Sequence, residues 1–203
     1  QVLVLRKTSG GLDLLTEASL ENRFRVGGSY RAFLGGMHVA ELLDALTADA
    51  DPQPELFDRA HATLRELSGL DEPDDRTPSL LVSAELALLQ LTGHAPALTE
   101  CAECLAPLAA TNRTPFGMLD GGCLCGRCRA GKRAVVSVSP AGLAALRGLA
   151  ARPDAWRDVT LAAAVDGELR AIMTTYLSHL LGRPPRVARL LQPRPAPRRA
   201  RTE

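Results

Sequence analysis

Aromatic residues are scarce in this chain: four Phe, two Tyr and one Trp make up only 3% of it. Hydrophobic residues nevertheless reach 46% of the 203 residues, so aliphatic side chains must fill the core. Leucine and alanine favour helices, whereas strands favour β-branched and aromatic residues. The composition therefore predicts a mostly α protein with one large domain or two small ones.

The sequence also lacks a long apolar run. No stretch of 18 apolar residues is present, which predicts no transmembrane helix and no membrane partner. Val2–Leu5 is too short for the apolar part of a signal peptide. The first residue is Gln1 rather than Met, so we expect the chain to start within a domain. These features favour a cytoplasmic protein.

Motifs typical of enzymes are missing as well. The chain has no G-x-x-x-x-G-K-[ST] loop and no G-x-S-x-G turn, and its glycine pairs do not complete a G-x-G-x-x-G. His38 and Glu41 fall three residues apart on one predicted helix face, where a local surface contact is a simpler interpretation than a catalytic base. The sequence predicts a binding protein without catalytic residues.

Charge is balanced overall but unevenly distributed. The net charge is +1, yet the segment 41–103 holds fourteen acids against three arginines. The segment 183–201 holds seven arginines and no acid. Such asymmetry indicates either separate partner surfaces or a solvated acidic face with a disordered basic tail. We predict that residues 193–203 form such a tail.

Apolar spacing of three and four residues predicts a helical domain over residues 31–192. The stretch from Ser79 to Thr92 is apolar almost all round, so it should be the central buried helix. Thr77 precedes Pro78 and is predicted to cap this helix, which Gly93 should end. The other helices are predicted from about Arg31 to the break at Asp51–Pro54, then over 54–68, 141–151 and 161–181. Ser139 and Pro140 should cap the helix at 141–151, and Gly182 should end the helix at 161–181.

The first 30 residues have a different pattern. Val2–Leu5 and Gly11–Thr16 are typical of two short strands joined by a turn. Two strands alone are only marginally stable in water, so they should belong to a larger sheet. We interpret residues 1–30 as the C-terminal part of a small β domain followed by a linker.

Four of the five cysteines form two C-x-x-C pairs, Cys101 with Cys104 and Cys125 with Cys128, separated by twenty residues. Two such turns can surround one ion with four thiolates, and this spacing is close to that of zinc ribbons. A site with four protein ligands has no open position, so we predict structural Zn²⁺ in a ribbon over residues 98–133. A redox thiol pair and an iron–sulfur cluster are the alternatives. Cys123 is the fifth thiol and is interpreted as a bystander, although it could replace Cys125.

Basic residues surround the second cysteine pair. Zinc modules often contact phosphate groups, and clustered cations suit that contact. The alternative is that these cations stay solvated and offset the thiolate charge. The candidate phosphate contacts here are Arg127, Arg129, Lys132 and Arg133.

In the order of its motifs the chain resembles the RecO family of bacterial recombination mediators. The ribbon, with Phe116 and Gly121–Gly122 between its cysteine pairs, is the most specific of them. Leu105 departs from the pattern, because many ribbons have Gly after the first pair. The other matching segments are Leu12–Ala18, Ala40–Asp44, Pro54–Phe57, Tyr176–Leu180 and Arg186–Leu191.

The resemblance implies a fold in which residues 1–30 are the remnant of an OB-fold β-barrel ahead of the helical domain. It implies a mediator that binds single-stranded and duplex DNA, anneals complementary strands and assists RecA loading with RecR. The tail of single-strand-binding protein would be a further partner, in a groove near Tyr176 and Arg170 on the late helix. The candidate phosphate contacts near the barrel strands are Arg6, Lys7, Arg23 and Arg25.

Two other classes of function are compatible with the same residues. One is a zinc-stabilised helical scaffold that binds only proteins, and the other is a thiol-dependent enzyme. Phe24 would be a stacking residue in the DNA-binding case, although a core or linker contact is the simpler interpretation.

Overall fold

A computed structural model of the chain describes residues 1–8, 11–25, 28–49, 51–71, 76–109 and 112–191. Within these residues the fold is mostly helical, as predicted. The helices are α1 (Tyr30–Leu46), α2 (Pro54–Gly69), α3 (Thr77–Leu91), α4 (Pro140–Ala151) and α5 (Ala163–Leu181). The strands are β1 (Val2–Leu5), β2 (Leu14–Ala18), β3 (Thr114–Gly117), β4 (Gly122–Cys123) and β5 (Val135–Val138).

Helix α3 lies at the centre of the helical body, as its apolar sequence predicted. It packs against α1, α2, α4 and α5, so it is buried around most of its circumference. Two of its hydroxyls are buried too, and each finds a carbonyl: Ser79 donates to Val159 and Ser83 donates to Leu149. Because these polar groups are paired, their burial does not carry the cost of an unmet hydrogen bond.

Several helix ends agree with the sequence-based prediction. The Ser139 hydroxyl accepts the backbone N–H of Gly142 and caps α4, with Pro140 at its first position. After α3, Gly93 adopts a φ of 76°, and the N–H of His94 reaches back to the carbonyl of Leu89. This pattern is a Schellman motif, in which a left-handed residue satisfies the last carbonyls. Gly182 ends α5 with a φ of 68°.

The predicted cap at Thr77 is wrong. Thr77 already lies in the first turn of α3, and Arg76 occupies the capping position. The Thr77 hydroxyl is buried and has no hydrogen-bond partner within the described part of the chain. Pro78 explains the difference, because a proline is accepted throughout the first turn and does not fix which residue precedes the helix.

A buried ionic cluster joins three helices in the core. Glu85 on α3 accepts two hydrogen bonds from the Arg170 guanidinium of α5, at 2.5 and 3.0 Å. The Nε2 atom of His38 on α1 lies 2.7 Å from the same carboxylate. Burial alone would raise the pKa of Glu85, but Arg170 and His38 outweigh it and lower the pKa to about 2. The carboxylate is therefore charged inside the protein.

This cluster overturns two interpretations of the sequence. His38 does not form a surface pair with Glu41, since it is fully buried and faces Glu85. Arg170 and Tyr176 are 2% and 6% exposed, so neither can line an open groove for a peptide. Helical spacing placed His38 beside Glu41 correctly, but it could not show which face of α1 the other helices cover.

Glu41 instead holds the C-terminal segment of the described chain on α1. Its two carboxylate oxygens accept the backbone N–H groups of Arg186 and Val187, at 2.7 and 3.0 Å. Burial raises the pKa of Glu41, but these two N–H donors and nearby cations lower it overall. The contact positions a short 3₁₀ turn, Val187–Arg189, against the helix.

The strands β1 and β2 form an antiparallel pair at the N-terminus, with β2 starting three residues later than predicted. All nine of their residues are exposed, including the apolar side chains of Val2, Leu3 and Leu15. An apolar surface of this kind is typical of a sheet that packs against further structure. That this pair is a barrel remnant stays a prediction, and the predicted tail at 193–203 lies outside the described residues.

We predict that Arg170→Ala lowers the free energy of unfolding by about 3–5 kcal/mol, because it leaves the buried Glu85 carboxylate without its main partner. Urea unfolding followed by circular dichroism measures this change. The double variant Glu85→Leu/Arg170→Met removes both charges. Its free energy of unfolding should therefore fall by less than that of Arg170→Ala. An Arg170→Ala loss below 1 kcal/mol would contradict a desolvated pair.

The Glu85 pKa also predicts a pH dependence. Its folded value of about 2 lies below the usual 4.5, so its ionisation stabilises the fold above about pH 4.5. This contribution is lost as the pH falls from about 4.5 to 2. Wild-type stability should thus fall more between pH 5 and pH 3 than that of Glu85→Gln, by urea midpoints. Equal losses in the two proteins would refute the prediction.

Candidate metal centre

The four paired cysteines lie on two tight turns that face each other. In the first turn, the N–H of Leu105 donates to the carbonyl of Cys101 at 2.9 Å. In the second, the N–H of Arg129 donates to the carbonyl of Cys125 at 3.0 Å. The N–H of Cys125 points at the Cys101 sulfur, 3.3 Å away, and so links the turns.

The sulfurs of Cys101, Cys104, Cys125 and Cys128 all lie within 4.8 Å of one another. The Sγ atoms of Cys104 and Cys125 are 3.8 Å apart, so they are not joined in a disulfide. Four sulfurs at this spacing could hold one metal ion. The structure thus brings together all four of the metal ligands proposed from the sequence.

The electrostatics of the cluster favour thiolates at Cys101 and Cys125 but not at Cys128. Burial raises the pKa of Cys101, but N–H groups of Cys104, Cys125 and Glu103 that point at its sulfur bring the pKa down to about 6. Backbone N–H groups of Cys128 and Arg127 likewise lower the pKa of Cys125. The sulfurs of Cys125 and Cys104 raise the pKa of Cys128 to about 12. A bound cation would favour the thiolate form of all four cysteines, because it stabilises every thiolate that coordinates it.

Cys123 lies outside the four-sulfur group. It pairs with Phe116 in the small sheet and is fully buried, and burial raises its pKa to about 11. A thiol of this kind behaves as a small apolar side chain. Among the described residues, Cys123 does not join a possible metal-ligand group, which supports its interpretation as a bystander.

A three-stranded antiparallel sheet, in the order β4–β3–β5, supports the second cysteine turn. Beside it, Gly122 has a φ of 148°, and a Cβ atom there would lie 2.4 Å from the backbone of Ala97. Ala97 exchanges hydrogen bonds with the strand through Gly121 and Cys123, at 2.9 and 2.7 Å. Only glycine permits this close approach, which brings the segment of Cys101 against that of Cys125.

The cysteine module is fixed to the helical body by contacts that the sequence reading missed. The ring of Phe116 meets Tyr176 of α5 edge to face, with centroids 5.7 Å apart. The Arg147 guanidinium of α4 donates to the carbonyls of Leu98 and Leu108, at 2.9 and 2.8 Å, on either side of the first cysteine turn. No local motif marks these residues, because their partners are distant in sequence.

The predicted DNA contacts near the cysteines differ in their surroundings. Arg127, Arg129 and Arg133 are exposed on or beside the second turn. Lys132 instead bridges Glu103 and Asp120, with N–O distances of 2.9 and 2.8 Å, and these carboxylates raise its pKa. Its charge already holds the two halves of the module together. A role for these cations in binding DNA stays a prediction.

The other predicted DNA contacts lie outside the module. Arg6 and Lys7 are exposed at the end of β1, and Arg23 and Arg25 are exposed in the linker before α1. Arg25 is 3.5 Å from Asp71. The structure thus places the candidate cations in separate groups on the hairpin, the linker and the cysteine module.

The architecture defines a class of protein: a helical body with a four-cysteine ribbon inserted between its third and fourth helices. The family model "Recombination protein O C terminal" matches residues 28–189. The chain therefore belongs to the RecO family of DNA repair proteins. Among the described residues, none of the helices is both long and apolar enough to cross a membrane.

Proteins of known family support this assignment. The "DNA repair protein RecO" of Rhodopirellula baltica is 32% identical over 155 residues, which cover 75% of this chain and 56% of that protein. The RecO of Anaeromyxobacter dehalogenans is 34% identical over 88% of this chain and 76% of its own length. The RecO of Roseiflexus is 32% identical over 86% of this chain and 61% of its own length. The chain thus spans little more than half the length of some of these relatives.

We predict that Cys128→Ser greatly reduces the amount of bound metal, whereas Cys123→Ser leaves it unchanged. Cys128 belongs to the four-sulfur group and Cys123 does not, although both are thiols of one module. Elemental analysis of protein purified under reducing conditions without chelator measures the metal content. Metal loss in Cys123→Ser with retention in Cys128→Ser would show that the ligand set is different.

Proposed function

We propose that this chain is a DNA repair mediator, which binds single-stranded and duplex DNA and anneals complementary strands. In this role it would assist RecA loading on DNA coated by single-strand-binding protein, together with RecR, in the bacterial cytoplasm near the nucleoid. The match of residues 28–189 to the RecO family carries the proposal. The mediator acts by binding and carries out no catalytic step of its own.

The metal that we propose is a structural Zn²⁺ held by Cys101, Cys104, Cys125 and Cys128. Zinc–sulfur bonds are about 2.3 Å long, which separates the sulfurs of a regular tetrahedron by about 3.8 Å. The Cys104 and Cys125 sulfurs have that separation. Four thiolates leave no position for a reacting water, so the ion would stabilise the ribbon and take no part in chemistry.

Exposed cations support the DNA-binding part of the proposal. Arg127, Arg129 and Arg133 surround the ribbon turn that the metal would hold rigid, and their side chains are open to solvent. Arg6 and Lys7 would contact phosphates beside the hairpin, and Arg23 and Arg25 would contact them along the linker before α1. Lys132 would contribute less than its neighbours, because Glu103 and Asp120 already neutralise it.

Annealing of complementary oligonucleotides coated with single-strand-binding protein, followed by fluorescence energy transfer, tests the proposal. We expect the zinc-bound chain to accelerate annealing, and we expect binding to weaken as salt rises because counterions are released from the phosphates. The variant Arg127→Gln/Arg129→Gln/Arg133→Gln should reduce the logarithmic salt slope on single strands by about 2.

The control is Arg152→Gln, since Arg152 is already paired with Asp154 and Asp158. Its salt slope should match that of the wild type. A zinc-bound chain that neither binds DNA nor anneals it would refute the proposal and favour a zinc-stabilised scaffold with protein partners only. Disulfide reductase activity in a metal-free chain would favour the thiol-dependent enzyme.

A further inference from the structure

A cleft with aromatic walls lies where the linker before α1 crosses α1 and α2. One part has a volume of about 250 Å³, and the adjoining part has about 270 Å³; they share the side chains of Phe24 and Leu64. The first part is mixed in polarity and includes Arg23, His61 and Arg65. The second is apolar and is lined by Phe33, Gly36 and Met37 in addition to the shared pair. We call the two parts together the aromatic cleft.

An exposed aromatic stack extends the cleft along α2. The Phe57 ring lies nearly parallel to the His61 imidazole, with centroids 6.1 Å apart and an angle of 17° between the planes. Phe57 is 68% exposed, although the chain has only four phenylalanines with which to build its core. An exposed flat ring next to a polar cleft offers a stacking surface for another planar group.

The charges around the cleft favour an anionic ligand. Arg23 and Arg65 both line it and are exposed, and neither forms an ion pair within the described segments. Two acids on the neighbouring turns are already paired: Asp71 lies 3.5 Å from Arg25, and Glu66 lies 2.5 Å from Arg157. Two guanidinium groups are therefore available beside the aromatic walls.

Glu55 and Asp58 are the acids on either side of Phe57 in sequence. Both line a different cavity, between α2, α3 and α4, which also includes Arg59. Neither acid lines the cleft that contains Arg23 and Arg65.

The linker wall of the cleft is held in place before any ligand binds. The N–H of Arg25 donates to the Ser68 hydroxyl of α2 at 2.8 Å, and the ring of Phe24 meets Phe33 edge to face at 6.5 Å. Phe24 can lie this close to α1 because position 36 is glycine, where a Cβ atom would be 2.9 Å from its ring. A preformed wall reduces the entropy lost on binding.

From these features we propose that the aromatic cleft binds single-stranded nucleic acid, with a base stacked on Phe57 and His61 and phosphates at Arg23 and Arg65. This inference rests on the proposed DNA-binding function and adds a site on the helical body, apart from the cysteine module and the hairpin. A duplex would fit poorly, because its bases are stacked on each other and do not present their faces. A purely apolar peptide would leave both arginines without partners.

The test uses the full zinc-bound chain and a fluorescein-labelled thymidine oligonucleotide of about 16 nucleotides, with binding followed by anisotropy. Phe57→Ala should weaken binding by about tenfold, the size expected for loss of one stacked base. Phe57→Trp should retain the affinity, and the fluorescence of its indole should be quenched by the oligonucleotide. An abasic oligonucleotide should give no quenching.

Arg65→Gln should weaken binding of both the thymidine and the abasic oligonucleotide, because a phosphate contact does not need the base. Leu190→Ala is the control for Phe57→Ala, since Leu190 is a large apolar residue that is 61% exposed elsewhere. Arg189→Gln, at the neighbouring exposed position, is the control for the loss of one charge. Both controls should leave the affinity within twofold of the wild type.

If the wild type binds the oligonucleotide but Phe57→Ala and Arg65→Gln bind it equally well, the cleft is not a nucleic-acid site, while the proposed function stands. If the wild type binds no oligonucleotide, both proposals are wrong. A lower sedimentation coefficient for Phe57→Ala without a change in affinity would assign the cleft to self-association. If Phe57→Ala and Arg65→Gln bind the oligonucleotide as tightly as the wild type, but bind an acidic apolar peptide less tightly, the cleft would be assigned to a protein partner.

Discussion

The arrangement of the helical body depends on the buried carboxylate of Glu85. A charged group without partners inside a protein is very costly, so α1 and α5 must bring His38 and Arg170 to α3. Aliphatic helices rich in leucine and alanine can pack in several registers with similar energy. A paired charge at a single position favours the packing that brings His38 and Arg170 to Glu85.

The same register determines where the cysteine module sits. Tyr176 lies six residues beyond Arg170 on α5, and its ring meets Phe116 while its hydroxyl donates to the carbonyl of His94. Arg147 of α4 holds the backbone on both sides of the first cysteine turn. A metal ion would close the module internally, whereas these contacts join it to the helices. The ribbon thus has two sources of order, one chemical and local, the other due to tertiary packing.

The described surface separates into regions with different chemistry. The cysteine module presents arginines on a turn that a metal would make rigid, and the linker forms an aromatic cleft against α1 and α2. The hairpin exposes apolar side chains instead. The mediator role that we propose would require the protein to hold flexible strands while leaving their bases able to pair, and distributed contacts of moderate strength would suit that task better than one deep groove.

The sequence alone was sufficient for most features whose physical cause is local, although the cap predicted at Thr77 was wrong. Three short motifs each fix the backbone conformation within one turn of chain, and the structure has those conformations. They are Pro140 after Ser139, the glycine after the last turn of α3, and the two residues between paired cysteines. The choice of Zn²⁺ and of the DNA-contacting cations still rests on the sequence. Helix positions could also be predicted from apolar spacing, because a helix with one buried face has apolar residues at intervals of three and four.

Contacts between distant residues were decided only by the tertiary structure. His38 and Glu85 are 47 residues apart, and Glu85 and Arg170 are 85 apart, so no spacing rule pairs them. The sequence placed Lys132 among surface cations, but folding brings Glu103 and Asp120 to its ammonium. The sequence around a charged residue does not show whether its side chain faces solvent or an oppositely charged partner. Only the packed helices and the folded ribbon determine which of the two it meets.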